Sequence, residues 1–164
     1  MHRHRHGFFT LTNKGMGIAR ANFFYLATGG SSQTIANNAS IRFNNTEIGS
    51  GFSWNNGETI TILQDGTYQI NVILSYGFIN NSVEIALQVN DGYADGTFGQ
   101  FIPFNIGVGQ LHGSWTLPLN RSDIIRVVNT GNCFILKQAG ANDERAASLS
   151  IFNVWQIRII TLKN

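Results

Sequence analysis

Asp65-Gly66-Thr67-Tyr68-Gln69-Ile70-Asn71-Val72-Ile73-Leu74-Ser75-Tyr76 is the stretch of sequence that decides the fold of this chain. It opens with Asp-Gly, a typical turn pair. Apolar side chains then recur at every second position, which is the spacing of a half-buried strand. They are Tyr68, Ile70, Val72, Leu74 and Tyr76. A strand this long needs a second sheet over its apolar face, so we predict the central strand of a β-sandwich.

Composition limits the classes of protein that need to be considered. The chain has 164 residues, a net charge of +2, 12% charged residues and a single cysteine. A domain of this size can fold without a disulfide, so we predict that Cys133 is a small buried residue of a strand. Lysine and arginine are scattered singly after residue 6, which argues against a nucleic-acid partner. We also expect no membrane span and no secretory signal, because no suitable apolar run is present.

Turn residues divide most of the chain into short segments of alternating polarity. We predict strands within residues 22–28, 40–43, 51–54, 58–63, 65–76, 82–89, 98–108, 111–119, 123–128, 133–137 and 149–162. Turns are expected at Asn44–Thr46 and at Asn90–Gly92. No segment has the periodicity of an amphipathic helix. The pattern therefore predicts an all-β, antiparallel sandwich of about ten strands.

Residues 1–20 differ from the rest of the chain, so we assign them to a flexible basic and aromatic arm and residues 21–164 to the folded domain. Three histidines, His2, His4 and His6, alternate with arginines. On one side of an extended segment they could hold zinc or nickel. A metal site needs ligands that a scaffold holds in place, so we favour a basic tail.

The first and last predicted strands are apolar on both faces. In the first strand, Phe24 and Leu26 lie on one face, and the apolar residues Phe23 and Tyr25 lie on the other. In the last strand, Phe152 and Val154 alternate with apolar residues in the same way. One face of an antiparallel sheet normally meets water. A second apolar face therefore predicts further cover, which we expect from another copy of the chain. Alternatively, the N-terminal arm folds over this face with Phe8, Phe9 and Leu11.

Several motifs resemble the globular heads of the complement-1q and tumour necrosis factor superfamily, whose domains are jelly rolls that associate as homotrimers. They are the aromatic first strand Phe23–Tyr25, the Gly66-Thr67-Tyr68 start of the central strand, the Val89–Gly92 turn and the Leu117–Val127 segment. Ser150–Trp155 stands where the family has its last strand, with Asn153 in place of the usual glycine. The Asn, Thr and Gly-rich composition is most similar to the C-terminal heads of collagen-like glycoproteins on Bacillus spores. No Gly-X-Y stalk precedes the head in this sequence.

The resemblance implies that the first, central and last strands share the inner sheet that forms the trimer contact. On this basis the interface residues are Phe24, Leu26, Phe152 and Val154, with Gln69 and Asn71 forming a polar layer near the three-fold axis. The residues that it assigns to the sandwich core are Phe23, Tyr25, Tyr68, Val72, Leu149, Ile151 and Ile157. Some heads of this family bind calcium, which makes Asp91 and Asp95 candidate ligands. We expect no other cofactor.

Motifs of catalytic chemistry are missing from the sequence. The acidic residues are few and lie mostly in turns, and neither Gly-x-Ser-x-Gly nor His-Glu-x-x-His occurs. A Ser-His-Asp set would have to form around His112, the only histidine outside the arm. Because a cupin-like metal enzyme needs a histidine cluster, we rank it, with a small hydrolase, below every non-enzymatic function.

These observations together predict a non-catalytic homotrimer that acts as a structural or binding module. Its expected place is extracellular or on the surface of a spore or particle, such as an exosporium, and its expected ligand is a surface protein or a glycan. The alternative is a glycan-recognising head of a phage fibre or adhesin, with Trp54 or Trp115 stacking on a sugar, although core positions suit both tryptophans better.

Overall fold

A computed structural model describes residues 19–27, 32–77, 83–94, 99–101, 109–136 and 144–154. Within these ranges the chain consists of strands and their connections, without a helix. The strands are β1 (Arg20–Ala27), β2 (Thr34–Ile35), β3 (Asn45–Ile48), β4 (Phe52–Asn55), β5 (Thr59–Ile62), β6 (Gly66–Gly77), β7 (Val83–Val89), β8 (Gly92–Tyr93), β9 (Gly99–Phe101), β10 (Gly109–Leu119), β11 (Ile124–Asn129), β12 (Phe134–Leu136) and β13 (Glu144–Val154).

The strands form two antiparallel sheets. The front sheet has the order β2-β12-β6-β13-β1-β3, and β10 pairs with β6 as well. The back sheet has the order β4-β5-β11-β7-β8, and β9 also pairs with β7. The predicted first, central and last strands correspond to β1, β6 and β13, which lie side by side in the front sheet. The predicted antiparallel sandwich is therefore confirmed.

β6 occupies the centre of the front sheet. It pairs with β10 along 11 residues, and β13 and β12 share its remaining pairing positions. The predicted alternation is confirmed, because the apolar side chains at every second position from Tyr68 to Tyr76 are each at most 1% exposed. Gly66 starts the strand beneath Asn153, where an added Cβ would lie 2.2 Å from the amide nitrogen of that side chain. Asn153, which stands where the resemblance leads us to expect a glycine, thus fills the space above Gly66.

The core lies between the two sheets and contains several aromatic rings. Phe23 packs against Phe43 and Trp54 with ring centroids 6.3 Å apart, and Phe52 meets Tyr68 edge-on at 5.7 Å. Six of the predicted core residues, Phe23, Tyr25, Tyr68, Val72, Leu149 and Ile151, belong to this core. The seventh, Ile157, lies outside the described residues. Trp115 is also buried in the core, so its ring is not available for stacking on a sugar.

The segment before β4 differs from the prediction. Residues 45–48 form β3 rather than a turn, and residues 40–43 contribute only an isolated bridge between Ser40 and Val128 rather than a strand. Asn44 explains part of this difference, because its side-chain amide donates to the carbonyl of Leu26 and accepts from its N–H, both at 2.8 Å. Pairing with β1, which is distant in sequence, outweighs the turn propensity of asparagine at this site.

The prediction for Cys133 is also wrong, because this cysteine is exposed and precedes β12. In β12, Phe134 and Leu136 point into the core and Ile135 points outward. Cys133 has the parity of Ile135, so alternation places it on the solvent side. The last strand begins at Glu144, five residues earlier than predicted, and its pairing with β1 shifts register between Tyr25 and Leu26.

β1 begins close to the boundary that we predict between an N-terminal arm and the folded domain. Residues 1–18, with the three histidines and the apolar residues Phe8, Phe9 and Leu11, lie outside the described residues. Ala19 is buried in the core and Arg20 begins β1. The strand therefore starts one residue before the boundary that the sequence predicts.

Candidate functional site

The candidate site is the outward side of the front sheet, which we call the front face. It consists of the side chains of β1, β13, β6 and β10 that point away from the back sheet. Inward and outward side chains alternate along these strands, and the inward ones belong to the core. All six predicted interface residues lie on the front face: Phe24, Leu26, Gln69, Asn71, Phe152 and Val154.

Strand register arranges the front face in rows. Phe152 pairs with Gln69, which pairs with Thr116 on its other side. In the next row Asn71 lies between Ser150 and Ser114. In the row after that Ile73 lies between Ser148 and His112. The fold therefore brings together three segments that are widely separated in the sequence.

Three large apolar side chains of the front face are in contact with solvent. Ile73, Phe152 and Val154 are each about two-fifths exposed, at 40%, 39% and 38%. Ile135, on the neighbouring strand β12, is equally exposed. The sequence predicts Phe152 and Val154 as interface residues but not Ile73, although Ile73 shares the parity of Gln69 and Asn71. Ile135 shares the parity of Cys133, whose predicted burial gave no reason to expect an exposed isoleucine there.

Phe24 and Leu26 of β1 are covered within the chain itself, more fully than we expect for residues that await a second copy. Phe24 is only 8% exposed, because the Arg145 guanidinium lies over its ring, 4.3 Å from the ring centroid. This is the geometry of a cation–π contact. Leu26 is half-buried beside Asn44. The early start of β13 supplies Arg145, so this cover could not be expected from a strand that begins at Leu149.

Four polar side chains in the middle of the front face are hydrogen-bonded to one another. Gln69 donates to Ser114 at 2.7 Å and to Asn71 at 3.2 Å, and Ser114 donates to Asn71 at 2.8 Å. Thr116 donates to the Gln69 carbonyl oxygen. We call these four residues the polar cluster. Because they already bond to one another, covering them costs less than covering isolated polar groups.

Charged side chains are rare on the front face. Neither β6 nor β10 contains an aspartate, glutamate, lysine or arginine. Arg20 and Arg145 lie near opposite ends of the β1–β13 ladder, where they face Phe152 and Leu26 respectively. Glu47 lies on the edge strand β3. Depletion of charge is the compositional signal that distinguishes the centre of a protein interface from the rest of a surface.

The residues considered for chemistry do not come together in the described part of the chain. His112 is exposed on β10 opposite Ile73. Asp91 lies in the turn between β7 and β8 with a φ of 67°, and its carboxylate pairs with the Arg126 guanidinium at 2.7 Å. Asp95 lies outside the described residues. Across the described ranges, no three His, Cys, Asp or Glu side chains are grouped as metal ligands would be.

Solved structures with the same architecture include a tumour necrosis factor and a complement-1q head. The Eiger tumour necrosis factor from S. frugiperda has a TM-score of 0.66 at 10% sequence identity, covering 90% of this chain and 99% of that chain. The globular domain of zebrafish complement 1qA has a TM-score of 0.60 at 11% identity, covering 84% and 98%. Murine APRIL at pH 8.5 has a TM-score of 0.56 at 9% identity, covering 84% and 100%.

The chain has the jelly-roll fold of tumour necrosis factor and complement 1q. No protein-family model and no curated protein sequence matches it. At 9–11% identity the structural likeness concerns the fold alone. The fold predicted from the sequence motifs is thereby confirmed, whereas the likeness to Bacillus spore glycoproteins stays a prediction.

Proposed function

We propose that this jelly roll is a non-catalytic homotrimer that serves as a structural or binding module on a spore, a particle or another extracellular surface. The observation that carries the proposal is the composition of the front face, where exposed Ile73, Phe152 and Val154 flank a polar cluster on strands with few charges. The family resemblance supplies the expected stoichiometry. None of the described residues forms a helix long and apolar enough to cross a membrane.

A second copy of the chain suits the front face better than water does. Large apolar side chains favour burial, by roughly 25 cal/mol for each Å² of apolar surface removed from water. Polar groups oppose burial unless they are hydrogen-bonded, and the side chains of the polar cluster already bond to one another. Burial of the apolar side chains therefore stabilises the assembly, while burial of the polar cluster costs little free energy.

Light scattering of the purified protein in solution tests the proposal directly. We expect a mass of about three times the chain mass of 18.1 kDa, because three copies would cover one another's front faces. Sedimentation at several micromolar concentrations gives an independent mass. A monomer throughout this range would contradict the proposal, and a stable dimer would correct the stoichiometry that the resemblance implies.

Two further expectations stay predictions. Calcium binding at Asp91 and Asp95 would have to compete with the Arg126 guanidinium for the Asp91 carboxylate. The glycan-recognising alternative loses Trp115 as a stacking residue, because Trp115 is buried in the core. Trp54 is only partly buried against the core and stays a candidate.

A further inference from the structure

A polar cleft lies at the side of the sandwich, away from the residues of the front face. It is lined by Gln33 and β2, by residues of the segment 38–42, by Glu58 in the β4–β5 connection and by Arg126 of β11. Its volume is about 470 Å³. Sites for small molecules typically measure roughly 300–1,000 Å³, so the cleft is large enough for a ligand of one or two sugar rings.

Hydrogen bonds within the chain hold the segment behind this cleft in place. Asn129 is fully buried, and its amide donates to the carbonyls of Ile35 and Ala36 at 3.2 and 3.0 Å. The segment 38–41 then bonds to β11, with the N–H of Asn38 on the Asn129 carbonyl at 2.7 Å and that of Ile41 on the Val127 carbonyl at 2.9 Å. The cleft is therefore formed before any ligand arrives, which lowers the entropic cost of binding.

Two arginines and one glutamate supply the charge of the cleft. The backbone N–H of Arg42 donates to the Gln33 amide oxygen at 3.0 Å, and the Arg42 Nε donates to Glu58. Arg126 donates from Nε to Gln88 at 2.6 Å and pairs with Asp91 through Nη2. Among the described residues, Nη1 of Arg126 and both Nη atoms of Arg42 have no hydrogen-bond partner. These guanidinium nitrogens can still donate to an anion.

The remaining lining residues narrow the class of ligand. Asn38, Ser40 and Thr34 present amides and hydroxyls, which match the hydroxyl groups of a sugar. Among the described residues that line the cleft, none has an aromatic ring that could stack on the apolar side of a neutral sugar. A simple inorganic anion would pair with a guanidinium but would leave most of the polar lining without a partner.

We propose that this cleft binds an acidic saccharide, with a carboxylate of the sugar held by Arg42 and Arg126 and its hydroxyl groups held by the surrounding amides and hydroxyls. The chemistry that selects this ligand is the combination of charge-assisted hydrogen bonds and a hydrated polar lining. None of the lining residues belongs to the front face, so the proposal does not depend on the oligomeric state.

Calorimetric titration of the purified chain with a uronic-acid disaccharide tests the proposal. We expect saturable binding that weakens at high salt and is about tenfold tighter than binding of the matching neutral disaccharide. Arg126→Gln and Arg42→Gln should each lower the affinity about tenfold. Arg121→Gln removes the same charge from the exposed turn after β10 and serves as the matched control, with an expected change of less than twofold.

A second measurement does not depend on the variants being folded. In the unaltered protein, backbone amide shifts of residues 33–42 and of Arg126 should move on addition of the uronic-acid disaccharide, while those of the front face should not. Three results would overturn the proposal: no saturable binding of this disaccharide, equal binding of the neutral one, or the same loss in Arg121→Gln as in the cleft variants. Tighter, arginine-dependent binding of an acidic peptide would also overturn it. A monomer that binds the sugar would refute only the trimer.

Discussion

The outward sides of the two sheets differ although both sheets have the same antiparallel construction. On the front face, exposed apolar side chains such as Phe152 and Ile73 lie around a polar cluster, and strands β6 and β10 carry few charges. On the back sheet, Arg126 bonds to Gln88 and pairs with Asp91, and threonines alternate along β5. One outward side is composed like the centre of an interface, and the other like a surface that stays in water.

This difference shows that alternation in a strand describes only half of its environment. The inward residues of both sheets are equally buried, so they do not distinguish the two sides of the sandwich. What distinguishes them is the chemistry of the outward residues, read across neighbouring strands. Ile124 of the back sheet illustrates this difference. It is 44% exposed, like the isoleucine of the front face, but its outward neighbours are polar: it pairs with Thr61, and Arg126 is the next outward residue of the same strand.

Placing one charge on either outward side should give the largest effect. Phe152→Glu should dissociate the assembly, because an unpaired charge buried at an interface costs several kcal/mol. Ile124→Glu is the matched control, since it introduces the same charge at a similarly exposed isoleucine of the back sheet, and it should leave the mass unchanged. Light scattering measures both. An oligomer that survives Phe152→Glu while the protein stays folded by circular dichroism would show that the front face is not the contact.

Two isoleucines of β6 separate the fold from the assembly. Ile70 points into the core and is fully buried, whereas Ile73 points out and is 40% exposed. In a chain made monomeric by Phe152→Glu, Ile70→Ala should lower the free energy of unfolding by about 3 kcal/mol. Ile73→Ala should lower it by less than about 1 kcal/mol. Urea denaturation measures both values, and equal losses would contradict the assignment of inward and outward sides.

The smallest expected effect concerns the Tyr68 hydroxyl, which donates to the Gln64 carbonyl at 2.7 Å. Tyr68→Phe should lower the free energy of unfolding by about 1 kcal/mol at neutral pH. Burial raises the pKa of the Tyr68 phenol above its ordinary value, Asp65 raises it further, and a hydrogen bond with Asn153 opposes them. The phenol therefore ionises at a lower pH in the unfolded chain than in the folded one, so the free energy of unfolding should fall as the pH rises above about 10.

The Tyr68→Phe variant should show a shallower decline above this pH than the unaltered protein. The decline should not vanish, because burial also raises the pKa of Tyr76. Urea denaturation between about pH 9 and pH 11 measures both slopes, since these limits lie about one unit on either side of the ordinary tyrosine pKa. Identical slopes would contradict this account of Tyr68.

The sequence alone was sufficient for the fold class and for the inward side of β6, whose period-two pattern predicted the central strand. In β1 and β13, which are apolar on both sides, the pattern left the inward side open, and the family resemblance assigned Phe152 and Val154 to the outer one. These inferences succeed because side-chain alternation is a local consequence of backbone geometry. The prediction for Cys133 was wrong because it relied on the usual burial of cysteine, whereas Cys133 shares the outward parity of Ile135.

Only the tertiary structure could decide which distant residues meet. The polar cluster joins Gln69 and Asn71 of β6 to Ser114 and Thr116 of β10, and its hydrogen bonds depend on a strand register that no local pattern specifies. The cleft is a stronger case, because Arg42 and Arg126 are isolated cations in the sequence and come together through the bridge between the segment at Ser40 and β11. Periodicity determines which way a side chain points, whereas long-range pairing determines its neighbours.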